Sequence, residues 1–221
     1  MRLEPSIEMD QVDYIQKIEP IDVGRSRRYQ PEAEVTEMER QHLRRLYAAV
    51  SSMPQCTPDR TCQPKPDLSA KTGLLQSMVT KAKVKHLLRA NKVLMEDKKH
   101  PVCLMMAPIQ EELVAFCAFS DASFSTSKEL SSRKGTLIFA TDVKLARNQR
   151  TVMCPVASSS RRIPRVVTPT LRAESIALSS SLDRLGYIRV CWEWLKNPYI
   201  DWSDPSQLLK RAPLASAVQY N

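Results

Sequence analysis

The period of the apolar positions changes near Pro101. Before that point the spacing is mainly helical. Thr36 followed by Glu39 forms the reciprocal capping pattern that opens a helix, and Leu43, Leu46 and Val50 recur on one stripe, which predicts a helix over 36–50. Two further helices are predicted over 68–79 and 83–96, the second carrying Val84, Leu87, Leu88 and Leu94 on one side. The run Val12–Val23 alternates apolar and polar residues. Pro20 lacks a backbone donor, so this run is predicted as an edge strand or an extended connector. The proline-rich stretch Ser51–Pro66 has no period and reads as an irregular connection.

After Pro101 the pattern is that of strands. Val102–Ala107 is a short candidate, and Glu112–Ser120 is an apolar run suited to a central strand buried on both faces. Thr136–Ala140 and Thr151–Val156 predict two more strands with antiparallel neighbours, Gly135 and the polar segment Asp142–Arg150 being read as turns. A long helix is expected from near Pro169 to Leu195, with Leu171, Leu178, Leu182, Leu185, Ile188, Trp192 and Leu195 on its apolar side. A short helix near Asp204–Lys210 and a strand over Leu214–Tyr220 follow. The order predicts a mixed α+β sheet covered by helices. Three zones result: an extended segment over 1–30, a helical segment over 31–100 and a sheet domain over 101–221.

Composition narrows the partners. Lys and Arg outnumber Asp and Glu by 33 to 24, a formal charge of +9 that favours a polyanion, nucleic acid above all. Lys81, Lys85, Arg89 and Lys92 fall on the side of the third helix opposite its apolar stripe. They read either as a solvated face or as a phosphate-tracking one. Arg161, Arg162 and Arg165 form a second candidate cluster for phosphates. No segment approaches a membrane span, and the N-terminus lacks the basic start and apolar run of a secretory signal, so no membrane partner is expected. The six cysteines are scattered, without zinc spacing or the density of a disulfide scaffold. They read as reduced thiols of an intracellular protein, cytoplasmic or nuclear.

Two carboxylates carry the candidate chemistry. Asp121 closes the apolar strand, where an acid is often a simple turn former. Glu174 lies three residues after Leu171 and four before Leu178, so helical geometry points it at the sheet. An ionised Glu there needs a partner, either Arg165 or Arg172 in a salt bridge or a shared cation. If Asp121 and Glu174 converge, they could share Mg2+ in a two-metal phosphodiester site, which needs clustered carboxylates and no covalent nucleophile. Four glycines supply no phosphate loop, no serine elbow occurs, and His42, His86 and His100 all precede the strand zone.

The segments Ala115-Phe-Cys-Ala-Phe-Ser-Asp-Ala-Ser-Phe124 and Ile163-Pro-Arg-Val-Val-Thr-Pro-Thr-Leu-Arg-Ala-Glu-Ser-Ile-Ala-Leu178 resemble the ribonuclease H region of copia-like retrotransposon Pol polyproteins. The upstream part, with Ile18-Glu-Pro-Ile21, Arg25–Arg28 and Lys65-Pro-Asp-Leu68, resembles the segment that links reverse transcriptase to ribonuclease H. The resemblance implies a ribonuclease-H-like mixed sheet with a long helix, preceded by a small helical segment. It implies Asp121 and Glu174 as catalytic, Mg2+-binding residues, an RNA–DNA hybrid or duplex as partner, and the remainder of a Pol polyprotein alongside. Departures accompany it. The paired glycines usual before the second strand are reduced to Gly135, and Ala157 stands where an aromatic residue is common. No Tyr-x-Asp-Asp polymerase motif occurs, and the third carboxylate is expected at or beyond Asn221, an amide. A weak or inactive nuclease is therefore expected of this chain, with a noncatalytic nucleic-acid-binding remnant or a basic interaction protein as alternatives.

Overall fold

A computed structural model describes residues 6–9, 12–51, 66–101, 103–123, 132–164, 170–197, 199 and 215–219. The elements in chain order are β1 (Ile7–Met9), α1 (Val12–Lys17), α2 (Arg25–Arg28), α3 (Glu37–Ser51), α4 (Pro66–Ser77), α5 (Val84–Lys99), β2 (Leu104–Met106), β3 (Val114–Ser123), β4 (Arg133–Asp142), β5 (Met153–Arg162), α6 (Thr170–Lys196) and β6 (Ala215–Gln219). They divide into two compact units, Glu8–Leu104 and Met105–Asn221 together with Met1–Ile7. Among the described residues no helix is long and apolar enough to cross a membrane.

The first unit is helical. Its capping box forms as the spacing predicts: the Thr36 amide donates to Glu39 Oε2 at 2.7 Å, and the Glu39 amide donates to Thr36 Oγ1 at 3.2 Å. Arg27 adds Nε and Nη2 bonds to the same carboxylate, so chiefly its hydrogen bonding holds Glu39 below the usual carboxylate range. Leu43, Leu46 and Val50 of α3 meet Leu75 of α4 and Val84, Leu87 and Leu94 of α5 in one core. The Tyr47 hydroxyl is enclosed there too, and burial raises its pKa.

The segment before α3 departs from the extended form that its alternation predicts. Val12–Lys17 is a helix, with Asp13 in its first turn and Lys17 in its last, both suited to the helix dipole. Ile15 is buried and Ile18 packs beside it, a helical three-residue step that outweighs the two-residue alternation. Arg25–Arg28 forms a further helical turn. Between them the backbone is clamped by one side chain: Asn91 Oδ1 accepts from the Ile21 amide at 2.8 Å, and Asn91 Nδ2 donates to the Ile21 carbonyl at 2.7 Å. Most of Ser51–Pro66, and the helix expected over Asp204–Lys210, lie outside the described residues.

The second unit is a four-stranded sheet in the order β5-β4-β3-β6, covered on one face by α6. β3, β4 and β5 are antiparallel and β6 runs parallel to β3, a mixed α+β arrangement consistent with a ribonuclease-H-like fold. β3 is interior, and Val114–Ala118 are all buried, as its unbroken apolar run predicts. β4 and β5 exceed their predicted lengths, and Gly135 lies inside β4 rather than in a turn. Pro155 is accommodated because β5 is an edge strand and the ladder shifts register beside it, between Ile138 and Phe139.

Small side chains set how α6 meets the sheet. Ala173 and Ala177 pack with Ala122 and Ile163, and further along Leu185, Ile188 and Trp192 join Phe116, Ala118 and Ile138. The Phe116 and Trp192 rings meet edge to face, with centroids 6.0 Å apart. Between these apolar groups Thr136 and Ser181 share a buried hydrogen bond of 2.7 Å. The inward stripe begins with Ala173, Ala177 and Ser181 and coincides with the predicted apolar side only farther along, at Leu185, Ile188 and Trp192. Leu171 is 77% exposed, and Leu182 and Leu195 are exposed as well. A helix that sits close over alanines has no room for leucines beneath it.

This packing makes a test. Leu185→Ala is expected to destabilise the second unit by about 2–5 kcal/mol and Ala177→Leu by about 1–3 kcal/mol through overpacking. Leu171→Ala should stay within about 0.5 kcal/mol of the parent. Urea unfolding of the three variants checks the order.

Candidate functional site

Asp121 lies two residues before the end of β3, level with Gly135 of β4. Successive side chains of a strand take opposite faces, and Ala122 packs under α6, so Asp121 projects from the other face, where it is exposed. Glu174 stands in the first turns of α6 next to the buried Ala173. It is half-buried, on the flank of the inward stripe rather than on it. Ala122 and Ala173 share one cluster, which brings both acids to one end of the sheet, Asp121 on the face away from α6 and Glu174 on the flank of that helix.

The same end receives β6. Gln219 pairs with Ser120, so the last described residue of β6 stops one residue short of the level of Asp121. Asn221, where a third carboxylate is expected, lies outside the described residues, as does Arg165. Arg172, the other salt-bridge candidate for Glu174, is exposed.

A two-cation centre needs carboxylates clustered around a common point, each oxygen about 2.1 Å from its ion. Among the described residues no three His, Cys, Asp or Glu side chains form such a group. Asp121 and Glu174 are two acids only, so the described residues do not supply such a cluster by themselves. The inward placement of Glu174 that the spacing of Leu171 and Leu178 predicts fails for a physical reason: the reference residue Leu171 is itself outward.

The basic positions separate into two sets. Lys81 ends a 3-10 turn before α5, so it does not share a helix face with Lys85, Arg89 and Lys92, which are exposed on α5. Lys85 is also not free for an external anion. Lys83 and Lys85 each approach one oxygen of Glu32 at 2.7 Å, and their hydrogen bonds hold that carboxyl at about 2. Arg161 and Arg162 are exposed at the end of β5. Beside them the structure brings Arg133 and Lys134 of β4, which sequence reasoning did not single out. Their signal was present, since a basic pair stands at the outer end of each strand of an antiparallel pair, but only the register makes them neighbours.

Compared with known proteins, the chain matches no family model, no curated protein and no solved structure.

One titratable group on the α5 face has a defined role. The Lys83 amide donates to His86 Nδ1 at 2.9 Å, and the His86 amide donates to the Lys83 carbonyl at 2.8 Å, closing the N-terminus of α5. Burial, then the neighbouring Lys85 and Arg89, push the imidazole below its ordinary range. A histidine depressed on folding binds fewer protons than in the unfolded chain. Its contribution is therefore present above the unfolded pKa of about 6.5 and is lost as the pH falls below it. Chemical denaturation between pH 7.5 and 5 should show this loss in the parent. His86→Gln, which keeps an acceptor that does not titrate, should flatten it.

Proposed function

We propose that the chain is a fragment of a copia-type retrotransposon reverse transcriptase and ribonuclease H polyprotein, intracellular, that binds nucleic acid and cleaves RNA–DNA hybrids weakly or not at all. The observation that carries this reading is topological. Three antiparallel strands, a long crossing helix and a parallel fourth strand bring the ends of β3, β6 and the first turns of α6 to one end of the sheet. That convergence joins the two motifs on which the resemblance rests, Ser120-Asp-Ala122 and Ala173-Glu174.

The chemistry expected of the ancestral site is hydrolysis of a phosphodiester by water. A cation, when bound, would lower the pKa of that water and steady the leaving oxygen. The described residues supply the scaffold for such a site without the acid cluster. The exposed Asp121 remains accessible to a cation brought by a phosphate, while Glu174 is partly withdrawn against the helix flank. Weak chemistry on an intact scaffold favours binding as the retained activity.

The deciding measurement is cleavage of a labelled RNA–DNA hybrid by the full chain with Mg2+, beside D121N and E174Q. Hybrid binding with turnover no faster than that of the two variants supports the reading. Robust turnover abolished by either substitution would show a working nuclease and overturn it. No binding to hybrid or duplex at any salt concentration would leave only a basic interaction protein.

A further inference from the structure

We propose that the backbone bridge between Glu34 and Lys83 is a proton-sensitive latch, held while His86 is neutral and loosened when that imidazole takes up a proton. This goes beyond the nucleic-acid reading and does not depend on it. The latch joins the segment Pro31–Val35 to the start of α5. Glu34 and Lys83 pair as an isolated antiparallel bridge, with hydrogen bonds from the Val35 amide to the Ala82 carbonyl at 3.3 Å and from the Val84 amide to the Ala33 carbonyl at 3.0 Å. The Lys85 amide adds a third, to the Pro31 carbonyl at 2.9 Å. Donors of the first turn of α5 are therefore satisfied by a distant segment of the chain.

One peptide unit couples the imidazole to this bridge. A residue paired in this way turns its own amide and carbonyl away from the partner strand. For Lys83 both are taken by His86: the Lys83 amide donates to Nδ1 at 2.9 Å, and the Lys83 carbonyl accepts from the His86 amide at 2.8 Å. The peptide between Ala82 and Lys83 thus holds Val35 by its carbonyl and His86 by its N–H. A neutral imidazole can offer Nδ1 as an acceptor, whereas the protonated ring carries a hydrogen on both nitrogens. Two donors then face each other. Departure of the ring alone would leave the part-buried Lys83 amide without its acceptor, and a turn of the peptide withdraws its carbonyl from Val35.

Charge acts in the same direction. Among the described residues, the groups that bear on the imidazole are Lys85, Arg89 and Lys83 beside it and Glu32 on the segment opposite. Three cations against one acid, at the end of α5 where the helix dipole is itself positive, disfavour a further positive charge. Burial and these cations depress the imidazole in the closed latch. Glu32 does not titrate alongside it, because hydrogen bonds from Lys83 and Lys85 keep its carboxyl at about 2. Opening stays local. The Val35 side chain is buried in the helical core, and Arg27 Nη2 donates to the Glu34 carbonyl at 2.8 Å. Once the latch is open the imidazole returns toward its ordinary pKa of about 6.5, so opening is favoured as the pH falls below that value. The gain is at most about tenfold per unit and ends where the closed form is itself protonated.

The test follows the full chain by NMR from pH 7.5 to 5, reading the His86 ring signals and the hydrogen-exchange protection of the Val35 and Val84 amides, corrected for the intrinsic pH dependence of exchange. Protection of both should fall below about pH 6.5 and level off past the midpoint of the ring, a midpoint one unit below 6.5 requiring about a tenfold fall. The Leu94 amide, in the core, should stay better protected at every pH, because the latch opens without the unit unfolding. In H86Q, whose side chain accepts without titrating, protection of Val35 and Val84 should not change over this range. A depressed ring midpoint with both amides equally protected throughout would overturn the latch, since the ring would then leave alone. Protection at Val35 and Val84 matching that of Leu94 at every pH would also overturn it, as would an equal fall in H86Q. Should H86Q fail to fold, the agreement between ring midpoint and amide protection in the parent decides by itself.

Discussion

The close seating of α6 on β3 is the constraint from which the second unit follows. Alanine meets alanine where Ala173 and Ala177 reach Ala122. The polar interior at Thr136 and Ser181 is satisfied by a mutual hydrogen bond, so neither hydroxyl is left desolvated without a partner. Bulk enters only farther along, where Leu185 and Trp192 cover Phe116 and Ile138. Because the helix starts over the end of β3 and the chain returns as β6 parallel to it, one end of the sheet collects the motif residues. The position of Glu174 is a by-product of this seating: one residue from the innermost alanine, and therefore on the flank.

Much of this architecture was legible in the sequence. The capping residues Thr36 and Glu39, the unbroken apolar run of β3 and the span of α6 each express a local rule that the tertiary structure keeps. What the pattern could not supply was the identity of faces. Over the first turns of α6 the sheet demands small residues and Leu171 faces outward, whereas farther along Leu185, Ile188 and Trp192 of the predicted apolar side are the ones that meet the core. Val12–Lys17 showed two periods at once, and the core formed with Ile18 chose between them. Two of the candidate site residues, Asp121 and Glu174, were brought to a common end of the sheet, while their relative facing depended on strand alternation measured from Ala122. The alignment of Arg133 with Arg162 is a long-range register, which no local window contains.

The positive charge of the chain is distributed unevenly in its consequences. On α5, Glu32 draws Lys83 and Lys85 into ion pairs that also brace the start of the helix, so part of that basic surface serves the fold. Exposed pairs of this kind contribute little to stability, but they reduce the local potential that an incoming polyanion feels. At the ends of β4 and β5, Arg133 donates to the Ser160 carbonyl and Lys134 to Ser180 Oγ, the latter tying β4 to α6. Net charge alone would have weighted both surfaces equally.

The Asn91 clamp has a consequence for the lifetime of the molecule. Its amide is the donor and the acceptor that a neighbouring strand would otherwise present to Ile21, and it sits on α5. Slow hydrolysis of that amide to a carboxylate would replace the donor by a second acceptor opposite the Ile21 carbonyl. The resulting repulsion between two oxygens would loosen the chain on either side of Ile21 from the helical core. Chemical ageing at one side chain would thus act first on the anchorage of the N-terminal segment.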